Sequence, residues 1–283
     1  VRVKVRAAGV AFADVLMREG LYPGTPAVPF TPGYDVAGVV DADADGWKAG
    51  QGVVALTKTG GYAEYLCVPE TSLVAVPPGL DPAATVSLVL NYLTAFQMIH
   101  RMARLTAGER VLVHGAGGGV GSFAVQIARA LGAEVTGACS AGKIELVRSL
   151  GADHVLDRAR EDFTRGERRY DLILDCWASR PLLACRRALV PGGSYVVVGG
   201  PMGSLVGMLS GALGALFLSL VSGKRFVQFV ARPNREDLET LRALLESGRL
   251  TPVVERTFRL EDAPEALRHV EQGGARGKVV LTP

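Results

Sequence analysis

Cysteine is scarce in this chain. The four that occur, Cys67, Cys139, Cys176 and Cys185, lie 72, 37 and 9 residues apart, a spacing that makes neither a disulfide framework nor a CxxC metal knuckle. A reducing, cytoplasmic setting is the expectation. Histidine is as sparse: His100, His114, His154 and His269 have no ligand-type neighbours in the sequence and read as structural or surface residues, so no metal is expected. Charge is also limited, at 21% of residues with a net of +3, and lysine and arginine are scattered rather than gathered into a stripe. Nothing in that distribution asks for a nucleic-acid partner. No secretory signal is visible at the start, which opens at Val1 inside a strand pattern; the expectation is that the true N-terminus is missing.

Glycine, by contrast, is abundant: 35 of 283 residues, about 12% against a typical ~7%. With 48% apolar residues and no three-residue period, the excess belongs neither to collagen nor to disorder. The length suggests two domains. Up to about residue 90 the chain reads as short β segments broken by turns: VRVKVRAAGV, then Pro23-Gly24 and Pro32-Gly33, then VAGVV, GVVAL and YAEYLCV. A long helical pattern starts at Asp81-Pro82. Strands then alternate with helices: RVLVH, EVTGA, HVL, DLILD, SYVVVG and KRFVQFV as strands, with helices at 120–131, 143–150 and 181–189. Such alternation indicates a parallel sheet covered on both faces. Helices at 234–247 and 262–271, a strand at 253–259 and the terminal GKVVLTP complete the pattern.

The strongest motif is His114-Gly115-Ala116-Gly117-Gly118-Gly119-Val120-Gly121, set between an apolar strand and the helix SFAVQIARALGA. From Ala116 it reads AxGxxG. The first small residue makes the tight turn, Gly118 admits the backbone to a pyrophosphate, and Gly121 allows close helix–sheet packing. Ala116, Gly117, Gly118, Gly119, Val120 and Gly121 are therefore assigned to a dinucleotide, its phosphates on the helix N-terminus. An NAD site places a carboxylate at the end of the next strand. Here stand Cys139-Ser140-Ala141-Gly142-Lys143. With Ser140 and Lys143 to meet a 2′-phosphate and no acidic side chain to repel it, NADP(H) is favoured.

AAGVAFADVLMREGLYPG, TPGYDVAGVV, GGYAEYLCVP, LVLNYLTAFQM, the glycine-loop stretch, LGADHVLD, PGGSYVVVGG and GKVV together resemble the zinc-free branch of the medium-chain dehydrogenase/reductase superfamily. Within it they are similar to quinone oxidoreductases of the zeta-crystallin type and to vesicle amine transport protein homologues. The resemblance implies an α/β protein with a GroES-like β-barrel catalytic domain from 1–95 and 231–283, and a doubly wound Rossmann domain over 96–230. It puts a substrate-site tyrosine at Tyr22 and a cleft aspartate at Asp14. It also assigns Asn91, Tyr92 and Thr94 to a helix facing the nicotinamide and ribose phosphates, and Val198, Gly199, Gly200 and Lys278 to the cofactor. The family often has Asn where this chain has Ala11. Zinc-dependent relatives need a Cys near Ala11 and a His where Tyr34 stands, so neither zinc site of that branch can be built.

Without a Lewis acid, hydride delivery to a quinone or an α,β-unsaturated carbonyl is the easier chemistry, because conjugation already activates the acceptor. Tyr22 and Tyr62 are the candidate donors to its oxygen, and Asp14 serves either the loop or proton chemistry. The expected activity is NADPH-dependent reduction of such an acceptor by a homodimer. Two other readings stand beside it: a membrane- or protein-interaction module that retains NADPH, and a trans-acting enoyl reductase. The seventeen-residue apolar run 205–221, with three internal glycines, is short for a membrane span. It reads as a flap, a dimer surface or a peripheral lipid contact.

Overall fold

The computed structural model describes residues 1–22, 24–44, 46–198, 205–229, 231, 236–237, 240, 243 and 250–283, with backbone alone for 205–210 and 212. The chain divides into two compact units, Val1–Leu93 with Arg232–Pro283, and Thr94–Ala231.

The first unit holds β1 (Arg2–Val10), β2 (Asp35–Val40), β3 (Gly52–Leu56), β4 (Tyr65–Cys67) and β5 (Leu73–Ala75). The second unit holds β6 (Arg110–His114), β7 (Glu134–Cys139), β8 (His154–Asp157), β9 (Tyr170–Asp175), β10 (Leu189–Val198) and β11 (Arg225–Phe229). The chain then returns to the first unit for β12 (Val254–Arg259) and β13 (Lys278–Thr282).

In the first unit the strand order is β12-β13-β1-β2-β3-β5, with β4 also paired to β1. β1 begins with strict alternation, Val3 and Val5 buried between Arg2 and Arg6, and from Ala7 onward every residue is buried. The change tracks side-chain size: Ala7-Ala8-Gly9 lets other groups close over the second face. Two helices pack together here, α1 (Phe12–Arg18) and a C-terminal one, Ala263–Glu271, joined at the surface by Arg18 and Glu271 at 3.0 Å. Their inward residues, Val15, Ala266 and Leu267, enter one core with Val3, Val36 and Leu281. α2 (Pro82–Phe96) starts where the sequence signals it, with Ala84 N donating to the Asp81 carboxylate at 2.7 Å.

The second unit is a six-stranded sheet in the order β8-β7-β6-β9-β10-β11, every pair parallel. Counted within the unit this is 3-2-1-4-5-6, the doubly wound order whose switch point lies between the first and fourth strands. Val111, Leu112 and Val113 of β6 are wholly buried, as both-face coverage requires, and each is worth roughly 1.5–3 kcal/mol of burial. The connecting helices are α3 (Gly119–Ala130), α4 (Ile144–Ser149), α5 (Leu182–Ala188) and α6 (Leu205–Ser222).

The apolar run thus forms a helix. Ala215 and Leu218 of α6 enter the core with Tyr195 and Phe226, while Leu213, Leu216, Phe217, Leu220 and Val221 are 58–77% exposed. Their spacing puts all five on one outward stripe. The helix expected over 234–247 falls largely outside the described residues, as do Gly199 and Gly200.

Candidate functional site

In the second unit, β6 ends at a loop held from below by β7: Gly115 N and Ala116 N both donate to Ala138 O, at 2.9 and 3.1 Å. Gly115 has φ +84, a backbone that side chains disfavour. A Cβ on Gly121 would sit 2.2 Å from Gly115 O, so only glycine lets α3 begin this close to the strand. The cap residue of α3, Gly118, offers no side-chain oxygen. The first amides of the helix therefore have no side-chain cap and present donors to an anion.

Lys143 belongs to this loop in space. A Cβ on Gly117 would lie 2.8 Å from Lys143 Cβ and Cδ, so the lysine stem crosses directly over Gly117. Ser140 begins the turn that carries it, with Lys143 N donating to Ser140 O at 2.9 Å. A second cation stands beside them that sequence reasoning missed. Arg158, the first residue after β8, donates its N–H to Cys139 O at 2.9 Å, and its guanidinium lies 4.4 Å over the Trp177 ring. Burial pushes the Cys139 thiol up, with a smaller push from Asp157, and Lys143 and Arg158 pull against that shift; two cations and one carboxylate thus act on the end of β7. The carboxylate at this end, Asp157, turns back on its own loop, accepting from Ala159 N at 3.0 Å and facing Arg160 at 3.8 Å.

Behind the loop a buried network ties three strand ends. Asp175 meets His114 Nδ1 at 3.0 Å, accepts from Tyr195 Oη at 2.7 Å, and takes the amides of Trp177 and Ala178. Burial pushes its carboxyl up, but His114 and the two amides outweigh this and hold it below the usual range.

The first unit gathers a different set. Asp14 is fully buried; one carboxylate oxygen accepts from Ala11 N at 2.9 Å, the other from Gly33 N at 3.0 Å. Burial, its largest influence, with a smaller push from Asp35, raises its pKa to about 6 against these bonds and Lys278. Gly33 in turn presses on the next loop, where a Cβ would meet Gly61 Cα at 2.5 Å, and Tyr62 N donates to Pro32 O at 3.0 Å. Asp14 therefore holds two loops in place, with neither oxygen left exposed. Tyr62 Oη is buried, and among the described residues no group stands within ordinary hydrogen-bond geometry of it. It lies near Asp14, and burial followed by that carboxylate holds its phenol well above the usual range. Tyr22 is half-buried, and its hydroxyl is 3.0 Å from that of Tyr34.

Lys278 is placed otherwise than the cofactor role expected of it. Its ammonium is buried, 3.1 and 3.0 Å from the two oxygens of Asp35. A Cβ on Gly9 would fall 2.3 Å from both partners, so the glycine of β1 makes room for this ion pair. An ammonium matched by a buried carboxylate stays with it. Of the helix residues, Thr94 is buried, and Asn91 is nearly so with an Nδ2 that has no partner. Val198 ends β10 half-buried.

Over residues 150–281 the chain matches a family described as zinc-binding dehydrogenase, and over 1–78 the alcohol dehydrogenase GroES-like domain. It is 34% identical to human quinone oxidoreductase over 302 residues, covering 99% of this chain and 88% of that protein. It is 29% identical over 313 residues to the synaptic vesicle membrane protein VAT-1 homolog of Rattus norvegicus, covering all of this chain and 76% of the relative. The solved structure of CurK enoyl reductase superposes with a TM-score of 0.85 at 27% identity, over all of this chain and 90% of that one.

The residues present do not fit a zinc ion. Among the described residues no three His, Cys, Asp or Glu side chains converge; Ala11 has no ligand atom, Tyr34 is bonded to Tyr22, and Asp35 holds Lys278. They do fit the nicotinamide dinucleotide that the superfamily implies, since the loop is stripped of Cβ atoms where Lys143 and Gly115 lie close and ends on uncapped helix amides. Fold, loop and relatives agree: this chain belongs to the medium-chain dehydrogenase/reductase superfamily, in its quinone oxidoreductase branch.

Proposed function

We propose that this protein is an NADPH-dependent reductase of quinones or α,β-unsaturated carbonyls that works without zinc. The observation that carries the cofactor choice is the pair of cations at the end of β7. Lys143 lies over the glycine loop and Arg158 sits 4.4 Å over the Trp177 ring, while the Asp157 carboxylate accepts from Ala159 N in its own loop. A planar guanidinium beside an ammonium and the Ser140 hydroxyl suits a ribose 2′-phosphate, where NAD would call for a carboxylate.

The chain's own residues supply binding and orientation. The amides opening α3 and the backbone of Gly117 and Gly118 take the pyrophosphate, and the His114–Asp175–Tyr195 network keeps that loop in one conformation. Reduced nicotinamide, when bound, supplies a hydride. The acceptor's oxygen then gains negative charge, and a neutral phenol donating to it stabilises that charge. Tyr22 offers such a hydroxyl at a half-buried position, while Tyr62 offers a buried one beside Asp14. Asp14 holds the loops that carry Gly33 and Tyr62.

The test is NADPH consumption across quinones, enones, enals and enoyl thioesters, run beside NADH. Turnover with a clear NADPH preference is expected; tight NADPH binding with no turnover on any acceptor overturns the reading. A response confined to enoyl thioesters moves the protein to the enoyl reductases, a choice the likeness to CurK enoyl reductase makes worth an arm of the screen.

The exposed stripe of α6 favours one further role, docking on a lipid surface or a second copy of the chain. Liposome co-sedimentation that is lost in the Leu213→Asp, Leu216→Asp variant supports lipid. Concentration-dependent mass, lost in the same variant, supports the second copy.

A further inference from the structure

Tyr34 is almost wholly buried, yet its hydroxyl ends beside that of the more exposed Tyr22, Oη to Oη 3.0 Å. The rings meet edge to face, with centroids 5.9 Å apart and planes 81° from one another, so the contact has a defined geometry. Each ring is anchored. Tyr34 immediately precedes β2, its carbonyl accepting from Thr57 N at 2.8 Å. Tyr22 sits in the turn after α1, its carbonyl accepting from Thr25 Oγ1 at 2.6 Å and Thr25 N at 3.2 Å.

The direction of the shared hydrogen bond follows from burial. Among the described residues Tyr22 Oη is the one hydrogen-bond partner of Tyr34 Oη. Were Tyr22 the donor, the hydrogen of Tyr34 would be buried and unsatisfied, an arrangement folded proteins avoid. Tyr34 therefore donates to Tyr22, which turns the hydrogen of Tyr22 outward. Tyr34 also stays protonated: burial, then the bond to Tyr22, with the charges of Asp14 and Asp35 behind, holds its phenol far above the usual range.

We infer that Tyr34 is a positioning residue that aims and strengthens the Tyr22 hydroxyl as donor to the carbonyl oxygen of the acceptor, where hydride transfer to an enone or a quinone alike leaves an oxyanion. A hydroxyl that accepts one hydrogen bond donates the next more strongly, and its aim needs no reorganisation when charge develops. This rests on the proposal above that the acceptor is a conjugated carbonyl.

The experiment is a double-mutant cycle of Tyr34→Phe and Tyr22→Phe with two readouts. One is enone and quinone turnover. The other is the dissociation constant of 4-nitrophenolate, an oxyanion probe followed by its absorbance shift, which needs no turnover. Tyr34→Phe is expected to lower kcat for enones and quinones alike about tenfold with KM little changed, and to weaken 4-nitrophenolate binding. In the Tyr22→Phe background it is expected to change none of these, because its effect runs through Tyr22. A loss of equal size in both backgrounds, or no loss in the wild-type background, overturns the inference. If no acceptor is turned over the function proposal fails, and the 4-nitrophenolate arm decides on Tyr34 separately. A matched Tm for Tyr34→Phe and wild type shows that the fold is kept.

Discussion

The glycine loop of the second unit and the carboxylate cluster of the first treat polar groups in opposite ways. At the loop, side chains are removed so that backbone donors face an outside anion, with two cations close to the same strand end. In the cluster, Asp14, Asp35 and Lys278 are sealed in, and their charges are spent on one another and on loop amides. The first arrangement turns uncapped helix amides toward a ligand. The second satisfies nearly everything and leaves a few phenol hydroxyls as the groups with something to offer. Substitutions should therefore show up as lost affinity in one region and as lost stability in the other.

The largest effect expected is at the buried ion pair. Lys278→Met strands the Asp35 carboxylate, and urea unfolding should show a loss of about 3–5 kcal/mol. Adding Asp35→Asn should restore much of it. Were Lys278→Met instead to leave stability intact and weaken NADPH binding, the lysine would belong to the cofactor and the comparison would break there.

Next comes Asp14. Its carboxyl holds a proton up to about pH 6 in the folded state against 3.8 as the ordinary value, so the folded protein binds more protons than the unfolded chain between those limits. The stability attached to that proton is full below about pH 4 and lost as pH rises through 6. The whole change amounts to about 3 kcal/mol by linkage. Unfolding free energies across that window should fall with pH in the wild type, and Asp14→Asn should lack this component. An identical slope in both would mean that Asp14 is ionised throughout.

The smallest change is at Arg158. Arg158→Ala should raise the NADPH dissociation constant about tenfold, roughly 1.4 kcal/mol, as for loss of one charge-assisted contact, with NADH nearly unaffected and stability kept. Equal weakening for both cofactors would place the guanidinium on the shared part of the dinucleotide rather than on a 2′-phosphate.

The two regions also differ in how far they could be read ahead of the structure. The glycine loop is contiguous, and each of its glycines answers a local demand of a strand–turn–helix, so its position and purpose follow from eight consecutive residues. Alternating apolar segments exposed the parallel sheet for the same reason, even down to the short edge strand β11. Arg158 escaped because it lies after the third strand of the unit. Its closeness to Lys143 exists only once β7 and β8 pair, Cys139 opposite Asp157. A search of the residue following each strand would have found it. The ion pair of Lys278 was not legible because its motif names a residue type without saying which charge waits 243 positions away. Tyr34 was noted only for the ligand it fails to be; its contact with Tyr22 depends on a helix and a turn bringing the two rings together.

What this sequence determined by itself is what local chemistry can enforce: the period of strands and helices, the loop built for a dinucleotide, and the lack of ligand residues for zinc. Each follows from neighbours a few positions apart, where backbone sterics and hydrogen-bond spacing leave little choice. The tertiary structure alone decided which charges are matched and which stay available. Pairing Asp35 with Lys278, stacking Arg158 on Trp177 and setting Tyr34 behind Tyr22 all need long-range contacts, and the desolvation that gives those contacts their strength exists only after the chain has folded.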